Sequence, residues 1–123
     1  QIWSADSSVF FNYSISDTIC SHQFVIKVRH TTNYEFQNLF LFIKTEKIDT
    51  LELLLANKEG EWLGKGIGDV REVEFMYRKN KEPTKKGDFT FEIKQAMRYG
   101  ELEKIQHLNN IQAIGVSIQK EDD

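Results

Sequence analysis

The chain has 123 residues, 40% hydrophobic and 28% charged, with a net charge of −3. That length closes one core without disulfide or metal support, and the spacing predicts a single domain over residues 1–123. The hydrophobic fraction excludes a disordered chain, and the mild acidity offers no field for nucleic acid or an anionic membrane surface.

The chain begins Gln1-Ile2-Trp3 without a Met, which suggests that a leader or anchoring segment was removed. Alternating apolar residues then recur in sets: Val9, Phe11, Tyr13 and Ile15, followed by Phe24, Ile26 and Val28. Further on come Leu51, Leu53 and Leu55, then Val73, Phe75 and Tyr77, then Phe89, Phe91 and Ile93, and finally Ile114, Val116 and Ile118. Period two places each set on one face of a strand. Asn38 to Ile43 is apolar on both sides, as expected of a central strand covered on both faces or of one under a loop. Turn signals separate the sets at Ser16-Asp17, Thr31-Thr32-Asn33, Asn57 to Gly60, Lys86-Gly87-Asp88 and Asn109-Asn110. Gln95 to Leu108, with Leu102, Ile105 and Leu108 at three-residue spacing, is the one segment suited to helix, and Gly100 limits it to a turn or two. The basic run around Pro83 reads as a solvated hairpin tip. Seven or eight short strands with at most one short helix predict an all-β antiparallel β-sandwich of jelly-roll type.

Residues 60–69, GEWLGKGIGD, imitate a phosphate-binding loop. Gly64, Gly66 and Gly68 are spaced G-x-G-x-G, which matches neither the dinucleotide fingerprint nor the P-loop, and a strand follows where either would need a helix. The glycines are better explained as a tight corner or a close backbone approach that seats Trp62. No cofactor is implied. Cys20 is the sole cysteine, so no internal disulfide forms. Cys20 and His22 share a strand face, but neither further ligands at metal-binding spacing nor an activating and orienting pair accompanies them. Glu72 and Glu74 read as the solvated side of their strand, and Asp17, Asp49, Asp69 and Asp88 as turn residues.

A binding surface is the more informative possibility. Lys27 and Arg29 oppose the apolar set of their strand, while Trp3, Tyr34, Asn38 and Trp62 lie near turns. Aromatic rings beside Asn and Arg are what sugar- or peptide-binding sandwiches use, because the ring covers apolar surface while the polar groups hydrogen-bond. Core or rim packing is the plainer alternative for each of them.

The run Val28-Arg29-His30 with Asn33-Tyr34 and Asn38-Leu39, then Asp49-Thr50-Leu51, Gly60-x-Trp62-Leu63-Gly64-Lys65-Gly66-x-Gly68-Asp69, and Gly87 with Gln95-Ala96-Met97-Arg98 resembles the gliding motility-associated lipoprotein GldH family of Bacteroidetes. The likeness spans nearly the whole chain. It implies a secreted precursor whose lipobox cysteine, upstream of Gln1, is acylated and tethers the domain to the cell envelope. It also implies a role beside other envelope or gliding-machinery proteins, with membrane contact through the lipid alone. Arg98 of the last motif joins Trp62, Arg29, Tyr34, Asn38 and Trp3 as candidate partner- or glycan-binding residues. The expectation is a non-catalytic interaction component of the gliding machinery, and the alternative is a glycan-binding envelope module around Trp62 and Arg29.

Overall fold

The computed structural model describes residues 2–15, 22–45, 48–79, 87–98 and 105–120. Among them are nine strands: β1 (Ile2–Ser4), β2 (Val9–Ile15), β3 (His22–Thr31), β4 (Asn38–Lys44), β5 (Ile48–Leu54), β6 (Val70–Lys79), β7 (Gly87–Gln95), β8 (His107–Asn109) and β9 (Ile111–Lys120). They form a four-stranded sheet in the order β2-β7-β4-β5, a three-stranded sheet in the order β6-β3-β9, and a small β1-β8 pair. All pairings are antiparallel.

The predicted alternation decides which face of each strand is buried. Leu39, Leu41 and Ile43 of β4 are fully buried, as are Ile26 and Val28 of β3 and Ile93 of β7. The two inner faces meet in one apolar cluster, with Phe24 of β3 packed edge-on against Phe91 of β7 at 5.3 Å between ring centres. On one flank β2 lies over β9. On the other, the Tyr77 hydroxyl on β6 donates to the Asp49 carboxylate on β5. This is a two-sheet sandwich, compatible with the jelly-roll expectation.

Three expectations need correction. The strand number exceeds seven or eight because β1 and β8, three residues each, pair with one another. Leu108 is buried in β8 rather than on a helix, and no described residue is helical. Residues 96–98 run alongside β4, where the Ala96 N–H donates to the Phe40 carbonyl at 2.7 Å. Asp49 sits inside β5 opposite Ile43, not in a turn, and Asp88 lies within β7 opposite Ser14. The strands before and after the basic segment belong to different sheets; the hairpin tip expected around Pro83 falls on residues 80–86, which lie outside the described residues, as do Ser16-Asp17, Cys20 and Gly100.

The turns behave as their residue types require. The Asn57 side-chain oxygen accepts from the Glu59 and Glu61 N–H groups at 3.0 and 2.8 Å. Asn110, between β8 and β9, takes φ 74°, a left-handed conformation that Asn tolerates better than most residues.

Candidate functional site

The glycine-rich segment folds back on the strand that follows it. Lys65 and Glu72 exchange backbone hydrogen bonds of 3.1 and 2.9 Å. A Cβ on Gly66 would lie 1.9 Å from the Val70 carbonyl oxygen, and one on Gly64 would lie 2.6 Å from a Val73 methyl. The glycines therefore serve close backbone approach, and Gly68 at φ 68° adds the corner. Just before this loop, Trp62 bridges to Ala56 and turns its half-buried ring onto His30, 4.7 Å between ring centres.

His30 is fully buried. Its Nδ1 lies 2.9 Å from the Thr31 carbonyl. Because a carbonyl only accepts, Nδ1 must carry the proton, which leaves Nε2 as a buried lone pair without a partner among the described residues. Burial pushes the imidazole below its ordinary value of 6.5, opposed by the Thr31 hydrogen bond, and the Arg71 charge lowers it further. Tyr34 closes the same cluster. It is 4% exposed, its hydroxyl donates to the Asn38 carbonyl at 2.7 Å, and burial raises its phenol well above the ordinary range.

The remaining candidates separate. Trp3 is 8% exposed, and its indole N–H donates to the Ser7 carbonyl at 3.0 Å. The buried Gln95 stitches this end together by donating to the Ile105 carbonyl at 2.7 Å and accepting from the Met97 N–H at 2.9 Å. Arg29 projects from the outer face of the three-stranded sheet, where its guanidinium pairs with the Glu72 carboxylate at 2.8 Å. Beside that pair, Lys27 meets Glu74 at 3.5 Å, so the acidic side of β6 is solvated but matched. Trp62 and Arg29 do not share a site, because Trp62 packs on inward-facing His30 and Arg29 points the other way from β3.

Asn38 and Arg98 both belong to the outer side of the four-stranded sheet, Asn38 at an outward position of β4 and Arg98 at a depression beside Phe40 and Phe42. Phe40 and Phe42 occupy outward positions of β4 while Leu39, Leu41 and Ile43 point inward. Phe40, Phe42, Thr50, Ala96 and Arg98 line an open depression of ≈ 330 Å³. Phe42 is 38% exposed there, with Lys94 on one side and Thr50 on the other in register. The Asn38 amide donates to the Glu52 carboxylate at 2.7 Å. Phe10, Ile48 and Leu54 extend the exposed apolar surface on the flanking strands. The expected cover over both faces of β4 is thus found on the inner face, whereas no described residue buries Phe42 on the outer one. Phe40 and Phe42 were absent from the sequence-derived candidates, although the two-sided apolar run from Asn38 to Ile43 was the signal that marked them.

Ring faces, an amide, a hydroxyl and a guanidinium collect on this face, and the protein is an all-β sandwich that presents an aromatic sheet face to its surroundings. The chain belongs to the GldH lipoprotein family, which matches residues 1–118. It is 35% identical over 127 residues to a gliding motility lipoprotein GldH homolog of Christiangramia forsetii, an alignment covering 98% of this chain and 78% of that protein. It is also 34% identical over 128 residues to the gliding motility lipoprotein GldH of Flavobacterium johnsoniae, covering 98% and 79%. No solved structure matches the chain.

Proposed function

We propose that this chain is a non-catalytic, lipid-anchored interaction component of the cell envelope that works with the gliding machinery and docks a partner protein on the outer face of its four-stranded sheet. Membership in a family of lipoproteins supports the anchor, and the names of its relatives support the gliding role. The observation that carries the docking surface is Phe42, an aromatic residue at the middle of a sheet face that stays exposed beside an open depression. Exposed apolar surface collected on one face is a feature of interaction sites rather than of scattered surface residues.

The partner is a protein segment that carries an apolar side chain next to carboxylates. Lys94 lies opposite Phe42 and Arg98 lines the depression, and neither makes an ion pair among the described residues, although the chain as a whole is acidic. An acidic apolar segment would fill the depression and satisfy both cations, and such complementarity sets specificity and encounter rate. Capture from detergent-solubilised envelopes, compared between wild type, Phe42→Ser and Arg98→Glu, tests this reading. One protein lost with both variants supports it; identical capture by all three refutes it.

A glycan-binding module is the second reading. The observation that favours it is the Asn38 amide and Thr50 hydroxyl beside the Phe40 and Phe42 rings, since amide and hydroxyl groups beside aromatic faces suit sugars. Binding on a glycan array that disappears with Phe42→Ser would select it over the protein partner.

A further inference from the structure

The three-stranded sheet ends in two edge strands of equal length and opposite character. Neither β6 nor β9 hydrogen-bonds to a further described strand, although Lys65 of the glycine-rich loop bridges to the free edge of β6 at Glu72. Over ten residues β6 carries Arg71, Glu72, Glu74, Arg78 and Lys79, whereas β9 carries Lys120 alone, at its end, and no proline. Charge on an edge strand is a common defence against pairing with another chain. Among the described residues, β6 is charged and bridged by the loop, and β9 is neither.

We propose that β9 is a self-association edge, at which a second copy of this chain adds antiparallel to β9 and continues the sheet across a two-fold axis. The sequence of β9 is complementary to itself in that arrangement. Residues directly opposite one another lie on the same face of the sheet. A two-fold at Gly115 sets Ile114 against Val116 on the inner side and Ala113 against Ser117 on the outer side. A two-fold at Val116 sets Ile114 against Ile118 and Gly115 against Ser117. Neither register brings like charges together, and Lys120 falls opposite Asn110 or Gln112. The inward residues Ile114, Val116 and Ile118 are only half-buried in one copy, so the added strand would also remove apolar surface from water.

The same operation on β6 brings like charges together in three of its four central registers, and only the one at Met76, which sets Glu74 against Arg78, escapes. A two-fold at Val73 opposes Glu72 to Glu74, one at Glu74 opposes that residue to itself, and one at Phe75 opposes Arg71 to Lys79. Like charges directly opposite are destabilising, and an isologous contact between identical patches is how most homodimers close. This edge is separate from the Phe42 face, which belongs to the other sheet.

Light scattering and sedimentation equilibrium on the 123-residue chain test the proposal. The wild type should show a concentration-dependent dimer, and amides of residues 111–119 should gain hydrogen-exchange protection as concentration rises. In the double variant Gly115→Glu, Ser117→Glu both registers oppose carboxylates, and the dimer dissociation constant should rise by about tenfold or more. Room exists at Gly115, where a Cβ would lie 3.9 Å from the Lys27 side chain, an ordinary contact, and a melting curve on the double variant checks that the fold survives. The uncharged pair Gly115→Gln, Ser117→Gln and the other-face variant Phe42→Ser should both remain dimeric. A wild type that is monomeric at every concentration, or a dimer indifferent to the two glutamates and without added protection in β9, would overturn the proposal.

Discussion

Trp62 and Phe42 are both half-exposed or less, both aromatic and both near the middle of their segments, yet the molecule uses them in opposite ways. Trp62 is held by the glycine-rich loop against buried His30, and its neighbours Gly64 and Gly66 leave no room for a side chain. Phe42 stands on a regular strand whose other face is already filled by Leu41 and Ile43, and it stays 38% exposed. The difference lies in the backbone beneath the ring. An irregular segment that gives up its Cβ atoms gains close packing and spends its aromatic residue on the fold, while a strand with a saturated inner face leaves the outer aromatic free for something else.

Substitutions should therefore separate into those that damage the fold and those that damage recognition. Gly66→Val should have the largest effect on stability, since its Cβ would fall 1.9 Å from a backbone carbonyl oxygen and the loop must move; a loss of about 3 kcal/mol or more is expected in denaturant melts. Trp62→Ala should follow at about 2–3 kcal/mol, below the full cost of a buried tryptophan because the ring is partly exposed. A Trp62→Ala protein that melts like the wild type but no longer binds its partner would move the recognition surface to this loop.

His30 should give a smaller, pH-dependent effect. Unfolded, it titrates at the ordinary value of 6.5; folded, burial holds it lower. Between those two values the unfolded chain binds more protons, so the His30 contribution is level above 6.5 and stability falls as the pH drops through that window. The difference in melting temperature between wild type and His30→Leu, followed from about pH 8 to 5, should change in that window and be flat above it. A flat difference throughout would mean that His30 is not held neutral by the fold. Phe42→Ser should have the smallest effect on stability, about 1 kcal/mol or less, because the ring is already in contact with water. Its effect on partner capture should be large.

Much of this was legible in the chain. The period-two sets placed Phe24, Ile26, Val28, Phe91 and Ile93 on inner faces, and the failed phosphate-loop spacing left close approach as the use of Gly66. The segment 95–108 misled because three-residue spacing of apolar residues over a short stretch is met equally by buried positions on either side of a bend: Gln95 anchors Met97 and Ile105 through its own side chain, and no period records that. Asp49 was misread because its acceptor role to Tyr77 depends on how two sheets are stacked. The candidate surface was half legible. Asn38 and Arg98 are 60 positions apart, and only the run of chain beside β4 after Gln95 brings them to one face. Tyr34 and Trp3 look like binding residues in sequence because a polar tip is visible and its internal partner, the Asn38 or Ser7 carbonyl, is not.

Site-specific photo-crosslinking in living cells tests the role of the Phe42 face most directly. A benzophenone amino acid is placed at position 42 and, as the comparison, at position 76, where Met76 is 59% exposed on the other sheet. The expected result is an adduct from position 42 to one envelope protein, attached within a segment that carries carboxylates beside apolar residues, and lost with Arg98→Glu. An adduct from position 76 with none from position 42 would contradict it.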